Sequence, residues 1–328
     1  MPPLLSTLLS TLRRELKALR RASPPLTFTG LLMLAAFLFS LVGIFLDPRV
    51  ITGVTVWLKP AKFGISTAIF ALSIAWIFRY IDKTAWKPVL EWTLSAMLIL
   101  EVGVIDIQAA RGTTSHFNVG TSIDSTLYLV MGVAIGIIWL TMVAVFLLLL
   151  RQKFRDRVWG WALRLGMLLT IFGAGSGGWM LRPTQEQAVA LARHQPGTTI
   201  GGHTVGAPDG GPGLPGVGWS TRHGDLRIPH FLGLHGLQVI PLLTWFLLAN
   251  RPSSEARRIG MVFAAAASYA ALYAILTWQA LRGQSILQPD ARTITALAVW
   301  LVVSLAAVAL LDGGAHRPSR MPHASTYV

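Results

Sequence analysis

The feature that most limits what this chain can become is a series of apolar runs at 27–46, 62–80, 88–107, 125–150, 158–179, 229–249, 259–281 and 292–312. About twenty apolar residues in a helix cross the hydrocarbon of a bilayer. Only a helix, or a closed barrel, pairs every backbone polar group there. The runs therefore predict an all-α polytopic membrane protein of about eight transmembrane helices. Composition agrees: 53% of residues are hydrophobic and 13% charged, against roughly 25% charged in a soluble domain. The chain has no cysteine, which excludes disulfides, thiolate metal sites and a cysteine nucleophile and leaves histidine, carboxylate and hydroxyl groups for any chemistry.

The net charge of +14 does not point to nucleic acid, because the basic residues lie mostly between apolar runs and no nucleic-acid motif accompanies them. They set orientation instead. Arg13, Arg14, Lys17, Arg20 and Arg21, then Arg79, Lys83 and Lys87, then Arg151, Lys153, Arg155 and Arg157, then Arg251, Arg257 and Arg258, then Arg317 and Arg320 all fall on one side of an eight-span topology. By the positive-inside rule that side is cytoplasmic, with both termini, in a multi-pass protein of the cell membrane. Residues 1–25 read as a basic amphipathic segment on the anionic leaflet, with leucines at helical spacing and a stop at Ser23-Pro24-Pro25. Residues 26–312 form the bundle, and 313–328 a cytoplasmic tail. Tryptophans at predicted helix ends, including Trp57, Trp86 and Trp159, fit interfacial belts.

Two segments repeat. Gln108-Ala109-Ala110-Arg111-Gly112 ends the third span and Gln279-Ala280-Leu281-Arg282-Gly283 the seventh. Leu58-Lys59-Pro60-Ala61-Lys62-Phe63 opens the second span as Leu226-Arg227-Ile228-Pro229-His230-Phe231 opens the sixth. The spacing predicts two parallel four-helix repeats, with a long Gly/Pro-rich outer loop, 180–228, inserted in the second. Parallel repeats of this kind occur in transporters. The loop carries polar groups down to a helix mouth, so it is expected to fold as a cap over the outer helix ends rather than hang free.

Candidate chemistry gathers at that outer mouth. Glu101 and Asp106 lie inside the third span, where a carboxylate normally faces protein, a partner or water; they sit about 140° apart on the helix and form no dyad. Glu101 is a candidate buried acid or proton relay, Asp106 a structural partner. His230 and His235 are also about 140° apart, not the one-turn spacing of a chelating pair, so joint metal binding needs a broken helix between them. His235 and Glu101 are the candidate catalytic residues, and His230, His235 and His116 the candidate ligands of a haem or transition metal. His203, Asp209 and His223 in the loop offer further metal-ligand atoms without a diagnostic spacing. Lys59, Lys62, Gln108, Arg111, Gln279 and Arg282 form a candidate cradle for a small anionic or lipidic ligand; the plain alternative is snorkelling to lipid phosphates. His194, His316 and His323 look peripheral.

There is no P-loop, no dinucleotide fingerprint, no nucleophile elbow and no zincin motif. The reading that follows is an integral membrane protein, in contact with membrane lipids, with a polar His/Arg/carboxylate site at the extracytoplasmic mouth. A metal- or haem-dependent oxidoreductase is one function for such a site. A transporter or lipid- and anion-handling protein is a second, and a non-catalytic membrane sensor or assembly factor a third. The topology itself is directly testable: reporter fusions at Lys153 and Gly211 are expected on opposite sides of the membrane, and the same side for both would remove an outer site.

Overall fold

The computed structural model describes residues 3–193, 195, 199–248 and 254–313; His194, His316, His323, Arg251 and the tail lie outside the described residues. Eleven α-helices are present among them: α1 Pro3–Ala22, α2 Pro24–Leu46, α3 Leu58–Ile77, α4 Trp86–Ala110, α5 Ser122–Arg151, α6 Arg157–Gly175, α7 Gln185–Ala192, α8 Arg227–Leu234, α9 Gly236–Leu248, α10 Glu255–Leu281 and α11 Ala291–Gly313. Four two-residue strands make two short antiparallel hairpins: β1 Val50–Ile51 with β2 Val54–Thr55, and β3 Thr204–Val205 with β4 Gly224–Asp225. The surface is inverted relative to a soluble domain. Phe45 is 85% exposed, Phe246 77% and Leu310 81%, as apolar side chains are when their solvent is lipid. The protein is an all-α polytopic membrane protein.

Seven helices are long and apolar enough to span a bilayer: α2, α3, α4, α5, α6, α10 and α11, with α3 and α6 extended by 3₁₀ turns. The eighth expected span, 229–249, is not continuous. It is divided at His235 into α8 and α9. The cause is α6, which lies so close that a Cβ added to Gly173 would stand 2.2 Å from the Gly233 carbonyl carbon, and one on Gly166 2.9 Å from Gly236 O. Thr170, one turn from each of these glycines, then inserts its hydroxyl into the break. It accepts the Leu237 N–H at 2.9 Å and lies 3.0 Å from Gly166 O and 3.3 Å from Leu234 O. A side chain entering the backbone ladder is a recognised cause of a kink, and here it also replaces the missing bonds in a medium without water.

The helices divide into two sets of four with the same neighbours. In the first, α2 packs on α3 and α4, α3 on α4, and α4 on α5; in the second, α6 packs on α8, α9 and α10, α8 and α9 on α10, and α10 on α11. The two QAxRG segments are matching helix ends. Gly112 and Gly283 hold φ of +74° and +72°, the left-handed conformation that terminates a helix at little cost only in glycine. In both, the glutamine side chain donates to a carbonyl six residues on: Gln108 to Thr114 O at 3.5 Å and Gln279 to Ser285 O at 3.1 Å.

The long loop is folded onto one end of the bundle. Ile200 N donates to Phe117 O, Gly202 N to Met180 O and Leu226 N to His203 O, each at 2.9 Å. Gln187 of α7 bonds the Gly201 peptide on both sides, at 2.8 and 3.0 Å. Ser285 Oγ donates to Thr221 O at 2.8 Å, tying the cap to the α10–α11 connection. The opposite end carries the basic connections and α1, whose Glu15 meets Arg79 at 3.3 Å. The contact of α6 with α8 gives a clear expectation: Gly173→Ala lowers stability by about 2–3 kcal/mol through overpacking, whereas Gly103→Ala, with nothing within 4 Å of the added Cβ, is neutral or mildly stabilising. Melting temperatures of the two variants in one detergent check it.

Candidate functional site

The candidate residues converge where α3 and α8 begin, under the cap. Lys59 and Lys62 stand on the first turn of α3, and Arg227 and His230 occupy the corresponding places in the repeated segment that opens α8. Glu101 comes from α4, His116 from the α4–α5 connection, and His203 and Asp209 from the cap.

A chain of contacts links three of them. Lys59 Nζ donates to His116 Nδ1 at 3.0 Å, and Ser115 Oγ lies 3.1 Å from the same nitrogen. With Lys59 as the donor, Nδ1 accepts and the ring proton sits on Nε2. That nitrogen stands 3.8 Å from Glu101 Oε1. Glu101 is 7% exposed, and its other oxygen, Oε2, is buried without a hydrogen-bond partner. The side of the chain facing the lysine is thus a made hydrogen bond, and the side facing the acid a short gap.

His203 and His230 are held in another way. His203 Nδ1 is 2.7 Å from Asp209 Oδ2, and His230 Nδ1 is 2.8 Å from Gly173 O. Carboxylate and carbonyl oxygens accept, so each Nδ1 carries the proton and each Nε2 is left as a free lone pair. A proton on either ring would disfavour a charge on His116. Phe117 separates them, its ring 6.0 Å from His116 and 5.0 Å from His203. Its φ of +63° is costly for a bulky side chain and is held by the bond from Ile200 N to its carbonyl.

The cations of this end are used unequally. Arg227 is clamped by Asp225, with its Nε at 2.9 Å and Nη2 at 2.6 Å from the carboxylate, and donates to Gly218 O at 2.6 Å. Asp225 is 1% exposed. Arg111 bonds Asp124 at 2.7 Å and Gln108 Oε1, and Gln108 Nε2 also donates to Asp124 at 2.9 Å. Arg282 bonds Asp290 and stacks on Trp278, 4.4 Å from the ring centre. Gln108, Arg111, Gln279 and Arg282 are therefore engaged by the connections that follow their own helices. Lys62 donates to Val217 O of the cap at 2.9 Å. Neither Lys59 nor Lys62 makes an ion pair among the described residues.

His235, at the helix break, packs edge-on to Phe231 with 4.3 Å between ring centres, and is brought neither to Glu101 nor to His116 by any direct bond. His223 is paired with Gln284 through backbone. Asp106 keeps one buried oxygen, Oδ1, without a partner. Among the described residues, no three His, Cys, Asp or Glu side chains lie together in a way that could hold a metal ion. The reading of the sequence missed the Asp225–Arg227 clamp, although an acid two residues before a helix-opening arginine is a visible signal. It also missed Thr170, for which no local signal exists.

The cap ties its stability to pH. Burial, followed by the charges of Lys59, His203 and His230, holds the His116 imidazole well below its ordinary range. Burial likewise lowers His203, with Asp209 opposing. Burial alone would raise Asp209, but the His203 hydrogen bond and charge bring it below the usual carboxylate range. The unfolded chain takes up a proton at each histidine near pH 6.5 while the folded one does not. The stability is therefore complete above about pH 6.5 and is lost as pH falls below it, by up to about 1.4 kcal/mol per pH unit for each histidine. Melting temperature is expected to drop between pH 7 and pH 5, and His116→Gln to flatten the drop; an unchanged slope in that variant would contradict the assignment.

Comparison with protein-family models, with curated proteins and with solved structures finds no match to this chain, so the chemistry of this end has to be read from its own geometry.

Proposed function

We propose that the protein binds a small ligand bearing a carboxylate or phosphate at the capped end, as a transporter or anion-handling protein of the cell membrane. One observation carries the reading. Lys59 and Lys62, three residues apart on the first turn of α3, each donate to a neutral acceptor and neither is ion-paired among the described residues, leaving ammonium donors free. Half-buried cations that make no ion pair attract an anion more strongly than fully exposed ones. Two further features support it. α3 and α8 both begin at this end, so the positive ends of two helix dipoles add to the lysines. The cluster also lies between two parallel repeats, a common position for transporter sites. Val217 O, which now accepts from Lys62, is the group an incoming anion would displace, and the cap would have to lift for entry. We place this end outside and both termini in the cytoplasm, because the basic connections gather at the opposite end.

The test is stabilisation of the purified protein by inorganic phosphate in nanodiscs of zwitterionic lipid, and by phosphatidylglycerol nanodiscs without phosphate. The first arm reads a soluble anion, the second a lipid headgroup. Lys62→Ala is expected to weaken the response about tenfold, or about 1.4 kcal/mol. No response to either probe would end the anion reading.

A second reading, a haem- or transition-metal-dependent oxidoreductase, draws on His203 and His230. Their Nδ1 atoms are engaged and their Nε2 atoms free, as in metal-ligating histidines oriented by a carboxylate or a carbonyl. An absorption spectrum and metal analysis of protein purified without chelator separate this reading from the first: a Soret band or stoichiometric metal supports it, and neither removes it.

A further inference from the structure

The end of the bundle away from the cap holds a second buried acid. Glu91 lies one turn and a half into α4 and is 6% exposed. Its Oε1 is buried without a hydrogen-bond partner, and so is the hydroxyl of Ser23, which faces it from the break between α1 and α2. One turn further along α4, Ser95 Oγ is 2.6 Å from Thr29 Oγ1 and 3.4 Å from Pro25 O. The Ser23 hydroxyl thus stands beside the carboxylate, and the Thr29–Ser95 hydroxyl pair lies one turn deeper along α4. The only charged group whose field reaches Glu91 among the described residues is Lys87 on its own helix. Its Nζ stands 4.0 Å away and donates instead to Phe78 O at 2.9 Å. From α2, α3 and α5, which pack on α4, no charge bears on it.

We infer that Glu91 is a proton-binding site open to the basic side of the membrane, with the Ser23 and Ser95 hydroxyls as its exchange partners. A neutral acid needs no counterion, whereas a buried carboxylate oxygen without a donor carries a large desolvation cost. A metal cation is a poorer occupant, because the Lys87 ammonium stands beside the carboxylate. Glu91 and Glu101 then stand ten residues, or about 15 Å, apart along one helix. Leu94 (0% exposed) and Leu98 (6%) lie between them as an apolar plug. The two acids are therefore loaded from opposite sides and do not exchange directly in this conformation. The inference stands on Glu91 and its neighbours and does not require the anion reading of the capped end.

The experiment uses the full chain in proteoliposomes. A protonated carboxylic acid in apolar surroundings adds through its oxygen to the central carbon of a hydrophobic carbodiimide and gives its proton to a carbodiimide nitrogen; the O-acylisourea rearranges to a stable N-acylurea, located residue by residue by mass spectrometry. At neutral pH Glu91 is expected to be modified at least tenfold faster than Glu255, which is exposed and paired with Arg157 at 3.2 Å. The rate is expected to fall as pH rises, and Ser23→Ala to slow it. Glu91 modified no faster than Glu255 at any pH between 6 and 8 would overturn the inference, as would a pH-independent rate. Addition of sodium that blocks labelling at fixed pH would also overturn it, by making the site a metal-cation site. The wild-type rate decides the matter even if Glu91→Gln fails to fold, and Lys62→Ala serves as a control whose outer-end defect leaves Glu91 labelling unchanged.

Discussion

Inside hydrocarbon a polar group has only the protein to bond to, and the break between α8 and α9 shows how far that constraint shapes the fold. Glycines at 166, 173, 233 and 236 allow two backbones to approach closer than any other side chain permits. The approach costs the helix part of its ladder, and Thr170 restores the lost partners. The break ends α8 after two turns, so that His230 is carried on a short helix with its Nδ1 fixed by the carbonyl of the same glycine, Gly173. The capped cluster thus depends on a contact made several residues away, between backbones.

The two QAxRG segments illustrate a different use of polar residues. Repetition in a membrane protein invites a functional reading, and an arginine at a helix end invites an anion. In both copies the arginine instead binds an aspartate at the start of the next helix, Asp124 or Asp290. Each glutamine bonds the carbonyl six residues on, and each glycine turns the chain. The duplicated motif fixes how α4 meets α5 and how α10 meets α11. What differs between the two halves is the pair of helix openings. Lys59 and Lys62 in one correspond to Arg227 and His230 in the other, and the inserted cap closes over both. The halves share their helix ends and differ at these two openings.

The capped end is also an electrostatic compromise. Burial first, and then the positive charge of Lys59 beside it, keep His116 neutral. Asp225 and Asp209 hold Arg227 and His203 in place, which leaves the two lysines with neutral partners.

The sequence alone determined the membrane setting, the number of spanning segments to within the one broken helix, and the basic end. These follow from period, run length and charge placement, which are local properties of a chain whose solvent is lipid. The duplicated helix ends were legible for the same reason, since a C-terminal glycine and its neighbours act within one turn. Which candidates belong together was decided by tertiary structure. Arg111 and Arg282 find acids in their own connections, His235 is left at a break, and His116 reaches Lys59 and approaches Glu101, because those choices depend on close helix packing and on a folded insertion. Neither the hydroxyl that fills the α8–α9 break nor the buried environment of Glu91 has any signature within its own segment, since each is made by residues far apart in the chain.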